Sequence, residues 1–195
     1  MSRPWCRVWV LGLLGLSSGC APALREVMLI VTTDLDCDSM SRVDVRLSRG
    51  TSDATVYQGT FQRVECLGPG ASAPSRITLG RGQEFRLGIV DGRRSDERLR
   101  IELVGQGNNG VATTARAETR FVDGKVYGLR MNLSQFCRTG AAGTVCPEGQ
   151  VCHAETTSLG PLCVNIFREP GVGPTAAQGA PVTATVTLGE GPGGG

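Results

Sequence analysis

An all-β fold, two packed sheets followed by a small disulfide-rich segment and a disordered tail, is what three features of this 195-residue chain predict. Apolar residues recur at every second position through about eight short segments between Glu26 and Leu133, the period of a strand with one buried face. Turn dipeptides separate those segments at hairpin spacing. No segment carries a sustained helical stripe.

The strands are predicted in order. Val27-Met28-Leu29-Ile30-Val31 is continuously apolar and suits a central strand buried on both faces. Arg42 to Ser48 alternates, with Val43, Val45 and Leu47 inward. Thr55 to Val64 contains Val56, Tyr57 and Phe61, Ile77 and Leu79 mark a short strand, and Phe85, Leu87 and Ile89 mark the next. Leu99, Ile101 and Leu103 alternate with Arg98, Arg100 and Glu102. Val111, Ala115, Ala117 and Phe121 share one face, with Arg116, Glu118 and Arg120 on the other, and Tyr127, Leu129, Met131 and Leu133 fall together. Asp123-Gly124 between the last two fits a type I′ hairpin turn, which needs positive φ at both central residues; Asn109-Gly110 and Asp91-Gly92 act alike. The strands over 25–136 match an immunoglobulin/transthyretin-like β-sandwich in size.

The remainder divides by composition. The N-terminal 1–20 has the build of an export signal, 21–136 is the sandwich, 137–165 is rich in cysteine, and 166–195 is a disordered tail of Pro, Gly, Ala and Thr. In the signal, Arg3 and Arg7 precede the unbroken apolar run Val8 to Leu16, which is too short to span a bilayer. Small residues Ser17, Ser18 and Gly19 then lead to Cys20, and Cys6 lies in the part removed. The six remaining cysteines, Cys37, Cys66, Cys137, Cys146, Cys152 and Cys163, form an even set in an exported chain and are expected to make three disulfides. Cys37 follows the first strand and Cys66 the third, so in an up-down-up path both fall at one edge of a sheet and can pair. The loop so closed is worth about 3–4 kcal/mol. The other four allow three connectivities, of which Cys137–Cys152 with Cys146–Cys163 is the working choice. Zinc is disfavoured by the absence of any Cys-x2-Cys pair.

Ser17-Ser18-Gly19-Cys20 resembles the lipobox of bacterial lipoproteins, although Ser17 stands where that family prefers Leu. The resemblance implies diacylglycerol and acyl lipid on Cys20, which becomes the mature N-terminus; ordinary cleavage after Ala23 is the competing outcome. Ala21, rather than Asp, resembles the enterobacterial default for sorting to the outer membrane. Cys146-Pro-Glu-Gly-Gln-Val-Cys152 resembles small cysteine-rich extracellular repeats, and the whole layout is similar to uncharacterised envelope lipoproteins of the myxobacterial type. Nineteen arginines to one lysine suits a GC-rich genome.

Candidate chemistry is sparse. Removal of Arg3 and Arg7 leaves 18 basic residues against 18 acidic ones, so no basic excess points to nucleic acid. His153, the single histidine, sits beside Cys152 with no nucleophile to pair with. Asp34, Asp36 and Asp38 open like a calcium loop, but Ser39 replaces the turn glycine and Val45 the bidentate glutamate, so Ca²⁺ is not expected. Gly105-x-Gly107-x-x-Gly110 spells a dinucleotide motif yet precedes a strand instead of a helix, and reads as a hairpin loop. The expectation is a non-enzymatic envelope lipoprotein, exported and lipid-anchored, that binds, scaffolds or displays. Its partners are the bilayer and an envelope protein or polysaccharide. The alternatives are a carboxylate-dependent hydrolase, secreted or anchored, and a calcium-stabilised adhesin module.

Overall fold

The computed structural model describes residues 25–50, 54–70, 72, 75–92, 96–108, 110–137, 146–147, 149–153, 162–167 and 184–188. Eight strands form the body: β1 (Arg25–Thr33), β2 (Arg42–Arg49), β3 (Thr55–Arg63), β4 (Arg76–Ile77), β5 (Phe85–Asp91), β6 (Arg98–Gly107), β7 (Gly110–Arg120) and β8 (Lys125–Leu133). Three short strands follow: β9 (Gln150–His153), β10 (Leu162–Asn165) and β11 (Ala184–Leu188). One sheet runs β11-β5-β1-β8 and the other β4-β3-β2-β6-β7, while β9 and β10 make a separate hairpin. The chain is a β-sandwich. Each strand predicted between residues 25 and 136 is present.

The alternation read from the sequence builds the interior. Val27, Leu29, Val31, Leu87 and Ile89 of the four-stranded sheet face Val43, Val45, Leu47, Ile101 and Leu103 of the five-stranded one, all at 0% exposure. Phe61 and Phe85 meet across this interface with ring centroids 4.9 Å apart. The continuous apolar run of β1 has its reason in position. β1 lies between β5 and β8, and its outward residues Met28 and Ile30 are buried along with its inward ones.

Parallel pairs break the antiparallel pattern: β1 with β8, β5 with β11 and β3 with β4. The chain changes sheets between β1 and β2, β4 and β5, β5 and β6, and β7 and β8. β1 and β3 therefore lie in different sheets, not at one edge of a common sheet as the up-down-up path supposes. The Cys37–Cys66 disulfide consequently ties sheet to sheet.

Two further differences concern the C-terminal third. Residues 166–195 were expected to be a disordered tail, with Val182 to Leu188 only a stray-strand alternative, yet Ala184–Leu188 pairs with β5, and Leu188 is buried in the core. A five-residue alternating segment (Ala-Thr-Val-Thr-Leu) has too little apolar surface to signal order by composition. It gains order from an edge already built. The cysteine-rich segment also packs on the sandwich: Glu118 N donates to Ile166 O at 2.7 Å, and Thr113 Oγ1 to Cys137 O at 2.9 Å.

Candidate binding face

The outer face of the five-stranded sheet carries the densest chemistry among the described residues. Alternation on β2, β6 and β7 puts Val45, Ile101 and Ala117 inward, so their neighbours in sequence must point to solvent. Antiparallel register then sets Arg46 opposite Glu102, Glu102 opposite Arg116, Arg100 opposite Glu118 and Arg98 opposite Arg120. The acids become bridged from both sides. Glu102 is 2.7 Å from Arg116 Nη2 and 3.7 Å from Arg46 Nη1; Glu118 is 2.9 Å from Arg100 Nε and 3.7 Å from Arg98 Nη1.

Depth decides which charge a ligand meets. The side chains of Glu102 and Glu118 are 21% and 13% exposed, against 46%, 65% and 56% for Arg46, Arg98 and Arg116. The carboxylates lie low and the guanidiniums stand over them. Arg42, Arg46, Arg98, Arg100, Arg116 and Arg120 face Asp44, Glu102 and Glu118, a local excess of three positive charges in a chain whose formal net charge is +2. Asp44 is withdrawn further, buried and accepting from Thr60 Oγ1 at 2.7 Å and Gln106 Nε2 at 2.6 Å.

A groove of about 440 Å³ runs through this array, lined by Arg46, Arg100 and Arg116, both glutamates, the hydroxyls of Ser48 and Thr55, and Ile166. Ile166, just past the cysteine-rich segment, supplies its apolar flank, and Phe167 lies under the Arg98 guanidinium, 4.9 Å from its Cζ. Guanidinium forks match carboxylate and phosphate oxygens in pairs, and the hydroxyls add neutral partners. The groove thus presents guanidinium and hydroxyl donors along one exposed face. Sequence reasoning used these arginines only to fix strand parity; their clustering was visible as Arg98-x-Arg100-x-Glu102 and Arg116-x-Glu118-x-Arg120 once the two strands are paired.

The residues singled out from the sequence sit elsewhere. Asp34 accepts from Ser134 Oγ at 2.8 Å and Gln135 N at 2.9 Å, fastening the end of β1 to that of β8. Asp36 turns back on its own loop, taking Ser39 N at 2.9 Å. The three acids are thus not gathered, and no group of three or more metal-ligating side chains occurs among the described residues. Arg63, almost fully buried, aims Nη1 at the carbonyls of Leu35, Asp36 and Met40 and pairs through Nε with Glu65 at 3.0 Å. This clamp was missed because an arginine ending a strand gives no sign that it points inward.

The three glycines of the spurious dinucleotide motif serve the β6–β7 hairpin. A Cβ on Gly107 would lie 2.3 Å from Ser39 O and one on Gly105 2.5 Å from Met40 Sδ, so both let the β1–β2 loop lie close; Gly110 has φ +98°. His153 stands on β9 opposite Leu162. Cys6 and Cys20, and with them the export signal and lipid anchor expected over 1–20, lie outside the described residues.

At the opposite end of the sandwich, Arg25 is a buried hub. It reaches Asp91 at 3.3 Å, Asp96 at 2.9 Å and Asp123 at 3.1 Å, and Arg49 shares Asp91. Acids from separate connections converge on this one side chain, which therefore fixes strand ends instead of offering a site.

The disulfides are Cys37–Cys66, Cys137–Cys152 and Cys146–Cys163, the same pairs as the working choice from the sequence. Three such bonds in one small chain belong to an oxidising, extracytoplasmic compartment. No helix among the described residues is long and apolar enough to cross a membrane. Compared with known proteins, the chain matches no family model, no curated protein and no solved structure.

Proposed function

We propose that this chain is an exported, non-enzymatic binding module of the cell envelope, held to a membrane by lipid on Cys20, that grips an acidic envelope polysaccharide along its arginine-covered face. The observation that carries the reading is the layering of charge in the groove, with glutamates recessed and guanidiniums raised. A rigid scaffold keeps that array in register. The groove strands β2, β6 and β7 are interior or backed by the cysteine-rich segment, and three disulfides close the surrounding loops. Recognition needs only pre-set hydrogen-bond donors, and each acid in the groove is already engaged by two arginines. The sequence features that support the anchor are the short apolar run and the small residues before Cys20. A lipoprotein carrying several acyl chains would stay on its membrane, whereas one chain would hold it only reversibly.

Two measurements test the two halves. The first is the unreduced intact mass of the protein recovered from membranes. A species starting at Cys20, bearing three acyl chains and lacking six hydrogens, is expected; a soluble species starting after Ala23 would overturn the anchor. The second is binding of the soluble chain from residue 21 to polygalacturonate, with neutral dextran as comparison. Saturable, salt-sensitive binding to the acidic polymer alone, weakened roughly tenfold by R46Q with R116Q, is expected for two lost charge-assisted contacts. Equal retention on dextran, or no change in the double variant, would remove the groove from consideration.

A further inference from the structure

The C-terminal strand stands apart from the rest of the fold. β11 is five residues long and pairs in parallel with β5, Ala184 opposite Leu87 through Leu188 opposite Asp91. All three disulfides lie before it, the last cysteine being Cys163. Its hold on the core is Leu188, fully packed, with Ala184 and Val186 partly buried against the same cluster. The acceptor is shaped for it: Gly92 N donates to Leu188 O at 3.1 Å, and a Cβ on Gly92 would come within 3.0 Å of that oxygen.

Between Phe167, beside β7, and Ala184, beside β5, the sequence has Pro170, Pro174 and Pro181 among glycines and alanines. Sixteen residues, 168–183, can reach about 50 Å at most, at roughly 3.3 Å each. Departure of β11 would leave the outer edge of β5 unpaired and open the core where Leu188 sits, so simple release is costly. Replacement by the β11 of another copy restores every contact, because donor and acceptor are present on each chain. Only the difference between intramolecular and intermolecular concentration opposes it, and that difference shrinks where copies are crowded.

We propose that β11 is an exchangeable strand, and that the β5 edge is a docking site for the Ala184–Leu188 segment of a second copy of this chain, giving a two-fold strand-exchanged dimer. On the reading above, copies anchored through Cys20 would share one orientation, with their β1 starts toward the membrane. Their β5 edges then lie at equal height, as a two-fold axis along the membrane normal requires.

The ladder provides the test, which is independent of any anchor. Val90 and Thr187 are direct partners on the outer face. Soluble chains from residue 21 carrying V90C on one, T187C on another, with distinct mass labels, are mixed at high concentration and oxidised. A heterodimer joined through the two introduced thiols is expected on non-reducing gels and in peptide maps. L188D on the donor should cut its yield roughly tenfold or more, the loss of one fully buried leucine. G92V on the acceptor should do the same by blocking the approach of the strand end. Heterodimer no more abundant than from a Q58C acceptor, with all chains folded by circular dichroism, would overturn the proposal. Yield unaffected by L188D and G92V would overturn it equally, since the chains would then be meeting at random.

Discussion

Replacing Arg63 by methionine tests whether a buried cation holds the β1–β2 loop to the sandwich. The substitution keeps most of the aliphatic stem and deletes the guanidinium. Nη1 serves the carbonyls of Leu35 at 3.2 Å, Asp36 at 3.3 Å and Met40 at 2.7 Å. Asp36 O keeps another donor, Met40 N at 2.9 Å, and Glu65 keeps Leu79 N at 3.2 Å. The cost therefore falls on Leu35 O and Met40 O, both buried. A buried acceptor left without its donor costs about 1–3 kcal/mol, so the pair gives roughly 2–6 kcal/mol. Against this stands the relief of no longer burying a charge, which makes some buried ion pairs neutral to replace. That relief does not decide the matter here, because the carbonyls belong to a loop pinned by Cys37–Cys66 and cannot turn to water. A net loss of about 4 kcal/mol lowers Tm by roughly 8–16 °C for a chain of this size. Urea unfolding followed by far-UV circular dichroism is the assay, since both tryptophans, Trp5 and Trp9, lie before the first strand and do not report on the sandwich. R63K, which keeps the charge but loses the fork, should fall between wild type and R63M. A loss below about 1 kcal/mol with unchanged m would refute the argument, showing that desolvation of the guanidinium cancels what it satisfies.

The disulfide beside that clamp closes a separation of 29 residues, so C37A with C66A should cost about 3.6 kcal/mol by chain entropy. Combined with R63M the losses should fall short of additive by about 0.5–3 kcal/mol, because a loop detaches only once. Glu26 and Glu84 should respond to pH in opposite senses. Burial raises the Glu26 pKa above 4.5, so its folded form favours the proton and stability is lost as pH climbs past that value; E26Q should raise Tm at pH 7 and change nothing well below 4.5. Hydrogen bonds from Arg86, then Arg130, hold Glu84 below 4.5, so its contribution is present above 4.5 and lost as pH falls through the folded value; E84Q should lower Tm at pH 7 and have no effect in strong acid. Burial pushes the Tyr127 hydroxyl up to about 12, and its proton is donated to Arg120 O at 2.6 Å; Y127F should cost about 0.5–1.5 kcal/mol in urea unfolding and remove the late phase of the tyrosine absorbance titration. G107A should cost about 1–3 kcal/mol, whereas G68A, with open space around it, should unfold at the wild-type urea concentration.

What was legible in the sequence depended on whether the signal was local. Period-two alternation belongs to each strand alone, so Val43, Val45 and Leu47 or Leu99, Ile101 and Leu103 declared their inward face without knowledge of their neighbours. The continuous run at β1 likewise matched a central strand whose outward residues Met28 and Ile30 are buried as well. Strand order was not legible, since alternation is silent about partners. The sheet assignment of β1 and β3 was accordingly misread even though Cys37 and Cys66 were paired correctly. The pairing survived the error because it needs only that the two strand ends meet. A sandwich brings ends of opposite sheets within about 10 Å, and the loops close the remaining distance.

The binding face was hidden for a related reason. Arg98, Arg100 and Glu102 lie more than ten positions from Arg116, Glu118 and Arg120, and each triplet alone looks like an ordinary solvated strand face. Pairing Arg100 with Glu118 and Glu102 with Arg116 turns two unremarkable faces into one ladder, and β2 adds Arg46. Register also decides that the acids sink between arginines, which no count of charges conveys. A shift of one residue along β7 would set Ala117 outward and send Arg116 and Glu118 toward the core. The inward set Thr113, Ala115, Ala117, Thr119 and Phe121 forbids that slip, because every member is buried at less than a tenth exposure. The charge layering of the groove is thus enforced by the apolar side of the same strand, and the core specifies the surface chemistry as firmly as it specifies the fold.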